Sequence, residues 1–133
     1  MRISQEHLDR IIQHAKDEFP RECCGIIEGD GDLVTNIYPM KNHSDDPIAF
    51  WANSSEQFLI ESKIKANKHQ VLAIYHSHPT DYSYMSTTDQ IFAQKRLASF
   101  TVVVGMKDGV DVKCFQLEAN KAYVYWLEPI EVI

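Results

Sequence analysis

The chain has 133 residues, is 44% hydrophobic and 24% charged, and carries a net charge of −6. That composition is ordinary for a globular protein, and the length suffices for one domain, residues 1–133, that buries about two-thirds of its unfolded surface. No apolar run approaches the roughly 20 residues of a membrane span, no basic-then-apolar leader is present, and an acidic chain without a Lys/Arg cluster argues against nucleic acid as the main partner.

Three cysteines are an odd number, and Cys23 and Cys24 are adjacent, too cramped for an ordinary disulfide with each other. A reducing cytoplasm is the simplest expectation.

Leu8, Ile11, Ile12, Ala15 and Phe19 recur at helical spacing, which predicts a helix over residues 4–19 with Ser4 as its N-cap and Pro20 as its stop. His7 and His14 read as surface residues on that helix. Residues 23–28 form a strand, Gly29-Asp30-Gly31-Asp32 a hairpin turn, and 33–38 the returning strand. Glu22 then sits at the mouth of a strand. On residue type alone it is an exposed charge after a proline turn.

Residues 41–47 are a polar loop, in which His43 and Asp45 read as ordinary loop residues and not as a second metal site. A short strand is expected at 48–51. Ser54-Ser55-Glu56-Gln57 has a capping-box pattern and opens a helix reaching about residue 68. Residues 70–75 are apolar and partly β-branched, a buried strand. A short helix is expected at 87–97, strands at 100–105, 110–117 and about 122–127, with a turn at Lys107-Asp108-Gly109 and a joint near Asn120-Lys121. The order implies an α/β fold, a mixed and largely antiparallel sheet flanked by about three helices.

The stretch that carries chemistry is residues 75–89. His76 and His78 lie at the exit of the 70–75 strand, and residues two apart in a strand point to one face. Pro79 biases His78 toward extended backbone. Ser86 and Asp89 have N-cap and N3 spacing at the next helix start, so the Asp89 carboxylate is held where it can reach back to the strand end. Two imidazoles and a carboxylate hold zinc with a fourth position left for water, the catalytic pattern. A zinc ion lowers the pKa of such a water to about 7. As an N-cap the Ser86 oxygen accepts, while its hydrogen remains available to an oxyanion.

Other zinc signatures fit worse. The metallo-β-lactamase type wants His-x-His-x-Asp-His, and Thr80 and Asp81 hold its last two positions. A deaminase Pro-Cys-x-x-Cys pair and a His-Glu-x-x-His are both absent.

His76-Ser77-His78-Pro79 followed by Ser86-Thr87-Thr88-Asp89, with Glu22-Cys23-Cys24-Gly25 upstream, resembles the JAMM (MPN+) metalloprotease motif, and the likeness extends over nearly the whole chain. The resemblance implies a JAMM/MPN fold with a cytidine-deaminase-like core. It implies one Zn²⁺ per chain on His76, His78 and Asp89, with Glu22 as general base and Ser86 as oxyanion donor. The implied reaction is hydrolysis after the C-terminal Gly-Gly of a ubiquitin-like or sulfur-carrier protein. The family also contains inactive MPN scaffolds, which lack the zinc ligands, and DNA-repair-associated members, against which the acidic charge counts. The near absence of an insertion between the 87–97 helix and the next strand implies a small stand-alone type. An extended tail is expected to pair with a strand edge beside the site, near Tyr82, Tyr84 and Met85.

Overall fold

The computed structural model describes residues 1–44, 54–94, 98–118 and 124–133, with the side chain of Gln94 excepted. Its elements, in order, are β1 (Arg2–Ile3), α1 (Gln5–Glu18), β2 (Cys24–Asp30), β3 (Leu33–Met40), α2 (Ser54–Ala66), β4 (Gln70–His78), α3 (Thr87–Gln94), β5 (Phe100–Gly105), β6 (Asp111–Leu117), β7 (Tyr125–Glu128) and β8 (Glu131–Val132). The strand expected at 48–51, Asp45, the joint at 120–121 and the last turn of the 87–97 helix lie outside the described residues.

The strands form a single sheet in the order β7-β6-β5-β4-β2-β3-β1-β8. The β2–β3, β2–β4, β5–β6 and β6–β7 pairs are antiparallel; β4–β5, β1–β3 and β1–β8 are parallel. The chain passes from β7 at one edge to β8 at the other through residues 129–130 alone. Laid flat at about 4.8 Å per strand, the two edges would stand roughly 33 Å apart, and so short a link spans only about 11 Å. The sheet therefore curls until its edges approach each other.

Two cores follow from the alternation of side chains across the sheet. On one side, Ile11 and Ala15 of α1 pack with Ile27, Ala73, Tyr75, Val102 and Val104. On the other, Ile60 and Ile64 of α2 pack with Cys24, Ile26, Met40 and Ile74. Helix α1 starts as expected, with the Ser4 hydroxyl accepting from the His7 N–H at 3.1 Å. Phe19 lies past its last turn and is exposed, a correction to the apolar stripe read from spacing. His14 is also corrected: it is largely covered, and its Nδ1 lies 2.8 Å from the hydroxyl of the buried Tyr75.

The β2–β3 hairpin closes over two residues, with Gly31 at φ 60° in the first loop position, where a side chain would be strained. All three cysteines are buried and none forms a disulfide. Burial pushes Cys23 up to about 12, against the pull of the Ser77 hydroxyl, so the thiol stays neutral.

Candidate metal centre

The site forms where three element ends converge: the last three residues of β4, the start of β2, and the first turn of α3. Cys24 pairs with His76 in the β2–β4 ladder, so alternation from Cys24 back to Glu22 and forward to His78 brings all three candidate side chains to one face. One carboxylate oxygen of Glu22 and one ring nitrogen each of His76 and His78 lie within 4.8 Å of one another. Glu22 is only 4% exposed, which overturns the reading of a solvent-facing charge.

Asp89 comes from α3. Its Oδ1 is 3.0 Å from His76 Nε2 and its Oδ2 is 3.0 Å from His78 Nε2, and the two Nε2 atoms are 3.3 Å apart. The helix start that delivers it is a complete capping box: Ser86 Oγ accepts from the Asp89 N–H at 3.1 Å, and Asp89 Oδ2 accepts from the Ser86 N–H at 3.0 Å.

The donor set suits a cation. His78 Nδ1 lies 2.9 Å from the Tyr82 carbonyl oxygen, which can only accept, so Nδ1 carries a hydrogen and neutral His78 presents its Nε2 lone pair to Asp89. Asp89 Oδ2 is itself an acceptor. Two lone pairs at 3.0 Å demand a proton or a metal ion between them. A backbone carbonyl behind the far ring nitrogen is also how metal-binding histidines are oriented. The carboxylate faces the two imidazoles through different oxygens, Oδ1 toward His76 and Oδ2 toward His78, and the two Nε2 atoms stand 3.3 Å apart.

Burial alone would push Asp89 up, yet the hydrogen bonds and charges of His76 and His78 hold it far below the usual carboxylate range. Burial lowers His78, and the bonds to Asp89 and to the Tyr82 carbonyl outweigh it, leaving a net rise. Asp89 is thus held as the carboxylate.

The loop 79–85 is fastened to the β5–β6 hairpin. The Asp81 carbonyl accepts from the N–H groups of Met106 and Lys107, Ser83 Oγ donates to Asp111 at 2.6 Å, and the Tyr82 hydroxyl donates to Asp108 at 2.9 Å. Gly105 allows this approach, because a Cβ there would overlap the Ser83 backbone. Met85 is buried with Val103 and Phe115, while Tyr82 and Tyr84 are exposed. The Tyr84 ring stands edge-on to His78 at 5.2 Å between centroids.

The expected strand edge is not at the site. There β2 lies between β4 and β3, and β4 between β5 and β2; among the described residues the open edges of the sheet are β7 and β8. Sequence reasoning also passed over Ser77, Asn42 and the Tyr82 carbonyl, which hydrogen-bond to the Cys23 N–H, the Glu22 carbonyl and His78 Nδ1 respectively. The first was inside the motif, and alternation already set it on the opposite face from the histidines.

The chain is similar to several known proteins. The family model described as prokaryotic homologs of the JAB domain matches residues 4–118. A desampylase of Haloferax volcanii is 30% identical over 95 residues, covering 66% of this chain and 68% of the relative. A CysO-cysteine peptidase of Mycobacterium tuberculosis is 27% identical over 103 residues, covering 76% and 70%. A tail tip assembly protein K from an Escherichia phage is 30% identical over 101 residues, covering 76% of this chain, which spans only 40% of that protein.

Among solved structures, a Desulfitobacterium hafniense protein superposes with a TM-score of 0.82 at 22% identity, over 99% of this chain and 92% of that one. A JAB1/MPN domain protein of Archaeoglobus fulgidus superposes with a TM-score of 0.65 at 19% identity, over 100% and 96%. These two likenesses concern the fold. With the family model spanning most of its length, the chain belongs to the prokaryotic homologs of the JAB domain.

Proposed function

We propose that this chain is a cytoplasmic zinc peptidase, a single domain over residues 1–133, that hydrolyses the peptide or isopeptide bond after the C-terminal Gly-Gly of a ubiquitin-like or sulfur-carrier protein. The observation that carries the reading is the approach of His78 Nε2 to Asp89 Oδ2 at 3.0 Å with the far ring nitrogen on the Tyr82 carbonyl, and of His76 Nε2 to the other oxygen, Oδ1, at 3.0 Å. The desampylase and CysO-cysteine peptidase relatives support the substrate class.

In this reading His76, His78 and Asp89 hold the metal. Bound there, zinc supplies Lewis-acid chemistry and lowers the pKa of water to about 7. Glu22, within 4.8 Å of the ring nitrogens, takes the proton of the attacking water and passes it to the leaving amine, work that contributes roughly 10²- to 10⁴-fold. The Ser86 oxygen keeps its bond from the Asp89 N–H and donates its own hydrogen to the tetrahedral oxyanion. The anchored loop 79–85 keeps His78 oriented through the Tyr82 carbonyl, so little reorganisation accompanies reaction.

The substrate enters beside Tyr84 and the start of β2, over strand ends and not along an edge. Glycines suit that route because they lack a Cβ and let the backbone approach closely. Carrier fusions with Gly-Gly and Gly-Val junctions, incubated with the zinc-loaded protein, test the reading. Cleavage at Gly-Gly alone is expected, and equal rates on both would sink the tail specificity.

A further inference from the structure

We infer that Ser77 and Asn42 are positioning residues that clamp the peptide unit between Glu22 and Cys23 at both ends and so aim the Glu22 carboxylate; this rests on the reading of Glu22 as general base. The two contacts fall on one planar group. The Cys23 N–H donates to Ser77 Oγ at 2.8 Å, and the Glu22 carbonyl accepts from Asn42 Nδ2 at 2.7 Å.

A peptide unit is planar. Fixing its N–H and its carbonyl from opposite sides sets the orientation of the plane, and with it the direction in which the Glu22 side chain leaves the backbone. Both clamps are themselves held. The Ser77 N–H donates to the Cys23 carbonyl at 3.2 Å, which extends the β2–β4 ladder one residue past its last regular pair, Cys24 with His76. Asn42 Oδ1 accepts from the Ser44 N–H at 2.9 Å, and the Arg21 guanidinium donates to the Ser44 carbonyl. Ser77, Cys23 and Asn42 are all buried, so water cannot replace a lost partner cheaply.

Ser77 stands on the face opposite to His76 and His78 and is no ligand. Its hydroxyl takes the place that its own carbonyl would hold in a regular ladder, and this local departure occurs one residue from Glu22. A side chain misplaced by about 1 Å can cost about 10²-fold in rate.

The test measures kcat, KM and zinc content on a Gly-Gly fusion for Ser77→Ala, Asn42→Ala and Ser77→Thr, in wild-type and Glu22→Gln backgrounds. Amide hydrogen exchange at Cys23 is followed in the metal-free protein. We expect kcat about 10- to 100-fold lower in each alanine variant, with KM and zinc content unchanged. Cys23 should exchange faster in Ser77→Ala, and Ser77→Thr, which keeps the hydroxyl, should restore kcat. In Glu22→Gln, adding Ser77→Ala or Asn42→Ala should cost nothing further, because a residue that acts through the carboxylate is silent without it. Asn42→Ala reads the same clamp without touching the segment between the histidines. Wild-type kcat in both alanine variants while Glu22→Gln is impaired would overturn the inference, as would an equal loss in the Glu22→Gln background. A fully active Glu22→Gln would instead remove the reading of Glu22 itself.

Discussion

His78 and Asp89 meet across the gap between a strand end and a helix start, Nε2 to Oδ2 at 3.0 Å, and each is fixed from behind. The Tyr82 carbonyl holds the far nitrogen of His78, and the Ser86 N–H holds the same Asp89 oxygen at 3.0 Å. One carboxylate thus both caps α3 and faces the imidazoles. The helix cap is the means by which the sequence delivers a charge to a site 11 residues upstream.

Separating chemistry from binding requires variants that spare the ligands. Glu22→Gln keeps size and shape, so zinc content should remain at wild type while turnover falls by roughly 10²- to 10⁴-fold. Ser86→Ala should keep its zinc, lose about 1 kcal/mol of stability with the cap, and turn over more slowly even when folded. Stability loss with unchanged turnover would leave Ser86 a cap alone.

Gly25 and Tyr75 form a tight pair in the β2–β4 ladder. A Cβ on Gly25 would overlap the Tyr75 ring, which is fully buried and tied to His14 through its hydroxyl. Gly25→Ala should therefore destabilise the fold by about 1–3 kcal/mol, the usual cost of overpacking. Adding Tyr75→Val should recover part of that loss. Additive penalties in a denaturant titration would show that the ring is not the obstacle.

Away from the site, buried Glu28 accepts from Thr35 Oγ1 and the Tyr38 hydroxyl at 2.8 Å each, from Asn67 at 3.2 Å, and lies 2.7 Å from His69 Nδ1. Burial pushes the carboxyl up, but the bonds from His69, Tyr38, Thr35 and Asn67 hold it below its ordinary value. A depressed carboxylate stabilises fully above its unfolded value of about 4.3, and that stability is lost as pH falls through the lower folded value. The stability gap between wild type and Glu28→Gln should be widest near neutral pH and shrink on acidification below that value. A gap independent of pH would contradict the assignment.

Much of this architecture is legible from residue pattern. Helix α1 announces itself by its spacing and by Ser4, and β4 and β5 by apolar, β-branched runs. The spacing of the proposed metal ligands is local too: alternation sets His76 and His78 together, and the Ser86–Asp89 cap sets the carboxylate. What the sequence hid depends on contacts between distant residues. Nothing near Glu22 foretells that segment 41–44 folds over it, and nothing near His14 foretells a hydroxyl 61 residues away. Strands β1 and β8 are two residues each, too short for any periodicity. The full pairing of β2 and β4 follows from strand order, which pattern alone does not give.

The central claim is that His76, His78 and Asp89 hold one zinc ion per chain. Elemental analysis of the purified, zinc-reconstituted protein tests it most directly, beside His76→Ala, His78→Ala and Asp89→Ala, each checked by circular dichroism for a retained fold. The account predicts one zinc per wild-type chain and loss of the metal in all three variants; wild-type zinc content in all three would contradict it.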